Sequence, residues 1–204
     1  MLGENQHSRG GVPMPPLVAL EGVDEALLQV QAERLCYGLR DQGIAAEQTR
    51  EPTQGPVGAQ IRLVQQGRLQ ILPASLALLE VADRLDHLTC PGGILAWLAE
   101  RHIVVCVHYT LSTFASHWHQ LDWRWLRQIN ARCRSPDLTL FIDTPVSPAA
   151  QTEQLNHNYR AAIAALQGEG EAIVVIDGRG AEDDILCACQ ARLAPLLDQR
   201  SVPE

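Results

Sequence analysis

Five short apolar runs, each separated from the next by a longer stretch with helical spacing, constrain this chain more than any other feature. They are LVALE (17–21), IAAEQT (44–49), IVVCV (103–107), LTLFID (138–143) and AIVVID (172–177). Strand-type runs that alternate with helices are the signature of a mostly parallel sheet covered on both faces. Residues 25–41 place Leu27, Leu28, Leu35 and Leu39 on one helical stripe, and residues 73–100 form a long apolar helical stretch interrupted near Cys90-Pro91-Gly92-Gly93. Further helices are expected at 121–132, 148–166 and 181–198. The pattern predicts an α/β fold, a doubly wound sheet of about five parallel strands. At 204 residues the chain is long enough for one sizeable core. One domain over 16–204 is expected, behind a disordered segment at 1–15.

Charge and composition narrow the function. A formal charge of -8 argues against a sequence-independent grip on nucleic acid phosphates. No apolar run approaches the roughly 20 residues of a membrane span, and the opening MLGENQHSRGGVPMPP lacks a secretion pattern, so a cytoplasmic protein is expected. Six cysteines, at 36, 90, 106, 133, 187 and 189, lie mostly in apolar segments and are expected to stay reduced. No metal site is predicted: Cys187 and Cys189 point about 200° apart on a helix, and His117-Trp118-His119 has no Cys or carboxylate at a recognisable interval. All 16 basic residues are arginine. Chemistry that needs a lysine ammonium is therefore excluded.

The turn after the first strand reads Glu21-Gly22-Val23-Asp24 and runs at once into a helix. It resembles the start of the phosphate loop E-G-x-D-G-x-G-K-S-T of thymidylate kinase, a P-loop nucleoside monophosphate kinase. Other segments resemble that family in order and spacing. They are Thr49-Arg50-Glu51-Pro52 with Pro56, Gly58, Ile61 and Arg62; Ala82-Asp83-Arg84 with His87; Tyr109, Ser112 and Ala115; Pro136-Asp137-Leu138-Thr139 with Asp143; and Ile176-Asp177. The resemblance spans residues 17 to about 195. It implies a P-loop NTPase-like sheet and a homodimer built through helix packing, with residues 73–100 at the subunit interface.

The chemistry of the family's site does not carry over. In a P-loop, glycines let backbone N–H groups wrap the phosphates, the lysine reaches the β and γ oxygens, and a hydroxyl binds magnesium. Aligned on Gly22 and Asp24, those positions hold Glu25 and Leu27 for the glycines, Leu28 for the lysine and Gln29 for the hydroxyl. The family's Asp-Arg before Tyr falls on Val107 and His108, and its base-stacking phenylalanine on Glu80. After Asp143 no arginine appears until Arg160, so the lid is expected to be shortened or absent. Losing one such group costs about 3 to 4 kcal/mol in the transition state. A compensating cation is expected to be an arginine, yet Arg50, Arg62 and Arg84 are placed on the acceptor side, away from the old loop. Asp24 is expected to cap the helix, with Glu25 adding charge to its first turn, so that the protein's own carboxylates take the anion's place.

These residues predict a thymidylate-kinase-like pseudoenzyme, a binding or regulatory homodimer without cofactor. The rivals are an active or residual nucleotide kinase that uses arginines, and a non-catalytic subunit of a larger complex. Arg50, Asp83, Arg84, Tyr109 and Ser112 are candidates for a residual anion or nucleotide site, with Asp83-Arg84 as a structural ion pair the alternative. Trp118, Trp123, Trp125, Arg124 and Arg127 form either a partner-binding face or an amphipathic helix that completes the core.

Overall fold

The computed structural model describes residues 14–145 and 150–198. Five parallel strands, β1 (Leu17–Gly22), β2 (Ala46–Arg50), β3 (Ile103–Val107), β4 (Leu138–Asp143) and β5 (Ile173–Asp177), form one sheet in the order β2-β3-β1-β4-β5. All six residues of the central β1 are buried, as expected of a parallel strand covered on both faces. Its side chains alternate. Val18 and Leu20 face α1 (Glu25–Asp41) and α8 (Glu182–Asp198), in a cluster with Leu28, Leu35, Ile185 and Leu193. Leu17 and Ala19 face the opposite layer, where α3 (Pro73–Thr89) and α4 (Ile94–Ala99) contribute Leu88, Ile94 and Leu98. That layer continues through α5 (Thr110–His117), α6 (Trp123–Asn130) and α7 (Ala150–Gly168), packed around Phe114, Leu126, Phe141 and Tyr159.

Two helices have no counterpart in the sequence expectations, α5 and α2 (Pro56–Gln65). The second strand also sits later than expected, at 46–50 instead of 44–49. Ile44 and Ala45 belong to the turn that leaves α1, where the Ile44 N–H donates to the Leu39 carbonyl. The long stretch at 73–100 does break at 90–93, into α3 and α4.

The expected disorder at 1–15 falls mainly on residues 1–13, which lie outside the described residues. Pro15 and Pro16 are already buried. The connection between β4 and α7 spans 144–149, of which 146–149 lie outside the described residues. No helix among the described residues is long and apolar enough to cross a membrane.

Because β1 sits between β3 and β4, the chain leaves the carboxyl ends of these strands in diverging directions. Open α/β sheets bind ligands in the crevice this creates.

Candidate functional site

A cavity of about 250 Å³ opens at that crevice, walled by the β1 loop, α2, α3, α5 and α7. The end of β1 lines it with Gly22, Val23 and Glu25, the end of β3 with His108 and Tyr109, and α3 and α5 with Glu80, Arg84 and Ser116.

The turn at the end of β1 is tight. A Cβ on Gly22 would lie 2.8 Å from the Ile142 carbonyl oxygen of the neighbouring strand, so only glycine fits. Three residues later α1 begins. Asp24 caps it, its Oδ1 accepting from the Leu27 N–H at 3.0 Å, and the Asp24 carbonyl accepts from the Leu28 N–H. Residues 25–29 are thus helical. Leu28 is buried in the α1–sheet core with Leu27 packed at its margin, and Gln29 reaches Glu25 and Gln48.

Glu21 turns to the other face of the sheet from Leu28, and its carboxylate is fully buried. It accepts from the Tyr109 N–H at 2.8 Å, the Ser112 N–H at 3.2 Å, the Ser112 hydroxyl and the Tyr159 hydroxyl at 3.4 Å. Glu21 therefore caps α5. Although it was grouped with the phosphate loop, it serves the N-terminus of a different helix.

Between the two carboxylates stands His108, the residue after β3, with φ +57. Its Nε2 lies 2.7 Å from Glu25 Oε2 and its Nδ1 3.4 Å from Glu21 Oε2. Burial would lower its pKa, but hydrogen bonds and charge from Glu21 and Glu25 outweigh burial and hold it at about 9. Glu25 is held reciprocally at about 2, chiefly by the His108 hydrogen bond and against the effect of burial. The result is an imidazolium bridge. Sequence reasoning required any replacement cation to be an arginine; His108 supplies one because two carboxylates flank it. The signal available was its position, in the family's Arg-Tyr slot before Tyr109.

Arg50 also corrects an expectation. Its NH1 lies 3.5 Å from Glu25 Oε1, so it stands beside α1 and not on the acceptor side alone. Ser112, His108 and Glu25 line up as hydroxyl, imidazole and carboxylate, the order of a hydrolytic triad, with Ser112 Oγ 2.9 Å from His108 Nδ1. A protonated imidazole cannot take the serine proton. The arrangement is a hydrogen-bond relay in which His108 donates to Ser112 and Ser112 donates to Glu21.

Asp83 and Arg84 do not form the ion pair expected of them. Asp83 accepts from the Thr53 N–H at 2.8 Å and the Thr53 hydroxyl at 2.6 Å, fixing the loop after β2. Arg84 is buried and pairs with Glu51 at 2.9 Å, donates to Asn130 at 2.5 Å and to the Tyr109 carbonyl at 2.8 Å, and lies over the Tyr109 ring at 4.8 Å. Burial opposes its charge and Glu51 restores it, which holds the guanidinium well above its ordinary range. Sequence reasoning named neither Glu51 nor Asn130 as a site residue. Arg62 donates to the Thr53 carbonyl, and the Tyr109 hydroxyl to the Arg134 carbonyl at 2.9 Å.

Glu51, His87 and Cys106 bring a carboxylate, an imidazole and a thiol within 4.8 Å of one another. Each is already committed. His87 contacts Thr49 and Glu51 through its two nitrogens, Glu51 holds Arg84, and burial, followed by the charges of Glu51 and Glu21, pushes the Cys106 thiol well up. In this structure the three groups form one buried network with Arg84 and Thr49.

The tryptophan-arginine segment divides. Trp118 and Trp125 pack against the core around Phe114, and Arg127 pairs with Glu169 and Glu171. Trp123 is half-buried, and Arg124 lies 5.9 Å from its ring centre.

The sequence model of the thymidylate kinase family matches residues 20–167. A probable thymidylate kinase of Pyrococcus horikoshii is 33% identical over 144 residues, covering 68% of this chain and 69% of that protein. Its counterpart from Pyrococcus abyssi is 33% identical over 147 residues, covering 69% and 71%. The crystal structure of thymidylate kinase from Ehrlichia chaffeensis shares the fold with a TM-score of 0.71 at 19% identity, covering 89% of this chain and 100% of that one. With a parallel sheet, a crevice at β1 and a family match over most of its length, the chain belongs to the thymidylate kinase family.

Proposed function

We propose that this chain keeps the thymidylate kinase scaffold without binding ATP or transferring phosphoryl groups, and that it works as a binding or regulatory homodimer. One observation carries the reading: the start of α1 is occupied by the protein's own charges. Asp24 caps the helix, and Glu25 stands there as a carboxylate locked to His108. An incoming triphosphate would have to displace Asp24 from the N–H groups that a helix N-terminus otherwise offers to an anion, and to break the Glu25–His108 pair beside them. No lysine exists anywhere in the chain to offset this. Arg50, which reaches that end, is paired with Glu25.

The relatives are described as thymidylate kinases, so thymidylate with Mg-ATP is the reaction to exclude. In a coupled ADP-release assay with both substrates the expected rate is background, and calorimetric titration with Mg-ATP is expected to show no binding. Turnover above about one per minute, roughly three orders of magnitude below a typical kcat, that disappears in Arg50→Ala would establish an arginine-based kinase instead.

The homodimer would form through α3 and α4. Leu72, Leu78 and Leu95 are 74%, 49% and 39% exposed there, an apolar surface that a second copy would cover.

A further inference from the structure

Glu51, His87 and Cys106 come from the loop after β2, from α3 and from β3, and packing turns a carboxylate oxygen, an imidazole nitrogen and a thiol to within 4.8 Å of one another. Those three donor types are the ligands of zinc-type sites. All three residues are buried, and among the described residues no other trio of such groups comes together. Spacing along the chain gives no hint of it, since Glu51 and His87 are 36 residues apart.

The other contacts of these residues hold the ligand atoms from behind. His87 Nε2 lies 2.7 Å from the Thr49 hydroxyl, which leaves Nδ1 facing Glu51 Oε1 at 3.2 Å. The second carboxylate oxygen, Oε2, is held by Arg84 at 2.9 Å. Metal-bound histidines and carboxylates are fixed by outer partners of this kind. Ligands of a tetrahedral ion with bonds of about 2.0 to 2.1 Å stand about 3.3 to 3.4 Å apart, so Nδ1 and Oε1 are already near that spacing. Cys106 Sγ lies 3.1 Å from the His108 carbonyl. Burial, then the Glu51 and Glu21 carboxylates, push its thiol well up, and the negative charge that does so also favours a cation beside the sulfur. Glu51 lines the cavity of about 250 Å³, which gives an ion a way in.

We propose that Glu51, His87 and Cys106 bind a divalent zinc-type ion through Oε1, Nδ1 and Sγ, with water completing the shell, and that the ion ties the loop after β2, α3 and β3 together beside the cavity. The ion takes the place of the hydrogen bond between His87 and Glu51. Binding releases the Cys106 proton to solvent, and the neutral imidazole carries its proton on Nε2, donated to the Thr49 hydroxyl. Arg84 stays on Oε2. Magnesium and calcium, which take oxygen ligands, are disfavoured by the thiolate and the imidazole.

The test uses the full chain, freed of metal with a chelator and kept reduced. Titration with Co²⁺ is expected to give an intense near-ultraviolet thiolate-to-cobalt band that saturates at one equivalent and is abolished by Zn²⁺, and Zn²⁺ but not Mg²⁺ is expected to raise Tm. Cys106→Ala is expected to lose the band and to weaken Zn²⁺ binding at least about tenfold. Cys187→Ser, which removes the exposed cysteine, is expected to change neither. Should Cys106→Ala fail to fold, X-ray absorption at the zinc edge of the wild-type complex is expected to show a single sulfur neighbour. No band at one equivalent, a band that survives in Cys106→Ala or is lost in Cys187→Ser, a zinc shell with no sulfur or more than one, or equal Tm shifts with Zn²⁺ and Mg²⁺ overturns the proposal.

Discussion

His108 keeps its proton because Glu21 and Glu25 stand on either side of it, and that charge has a measurable consequence for stability. Its pKa in the fold, about 9, exceeds its ordinary value of 6.5. The protonated form therefore favours folding: the contribution is complete below pH 6.5 and is lost as the pH rises through 9. Glu25 runs the other way. Lowered from 4.5 to about 2, it contributes above pH 4.5 and loses that contribution as the pH falls through 2. The wild-type unfolding free energy measured in urea is expected to fall by up to about 3 kcal/mol more than that of His108→Gln between neutral pH and pH above 9, the buried thiols and phenols, whose pKa burial raises, adding a loss common to both. Parallel profiles would show that the bridge contributes nothing. None of this was legible from sequence, which places His108 next to Tyr109 but leaves Glu21 and Glu25 more than 80 residues away.

Among the elements, α1 explains why restoring a single residue is not expected to restore a phosphate loop. Leu28, the residue that the resemblance sets against the family's lysine, is 1% exposed within the cluster between α1 and the sheet. Leu28→Lys would put an ammonium group there with no partner. It is expected to lower stability by about 3 kcal/mol or more, read as a fall in Tm, and to leave Mg-ATP binding undetectable by calorimetry. A stable variant that binds Mg-ATP would mean that the start of α1 opens readily. The helices that sequence reasoning overlooked share a cause. In α2, Pro56 and Gly58 resemble loop chemistry, yet Pro56 occupies the first turn, where its missing N–H costs nothing, and a Cβ on Gly58 would lie 2.1 Å from the Thr53 carbonyl oxygen. In α5, TLSTFASH has weak helix propensity. Burial of Leu111, Phe114 and Ala115 and the Glu21 cap stabilise it instead.

For the whole molecule the prediction is the proposed dimer through α3 and α4. Size-exclusion chromatography with light scattering is expected to give a dimer, and Leu78→Glu, a charge on a residue already 49% exposed, to give a folded monomer. A wild-type monomer at high micromolar concentration would rule out the dimer. The fold itself was readable in advance: the five expected strands lie within a residue or two of their observed bounds, and β1, β3 and β4 are largely apolar because a parallel strand covered on both faces is buried throughout, whereas the edge strand β2, AEQTR, is only partly buried. The absence of lysine, and the run Glu25, Ala26, Leu27, Leu28, Gln29 after Asp24, were equally plain, since those are residue identities. Tertiary structure alone decided where the remaining charges point. It directed Glu21 to α5, paired Arg84 with Glu51 and not Asp83, brought Arg50 to Glu25, and made His108 the cation of the site. The physical reason is that composition and periodicity act along the chain, whereas a charge takes its partner from whatever the packed sheet and helices place within about 4 Å of it.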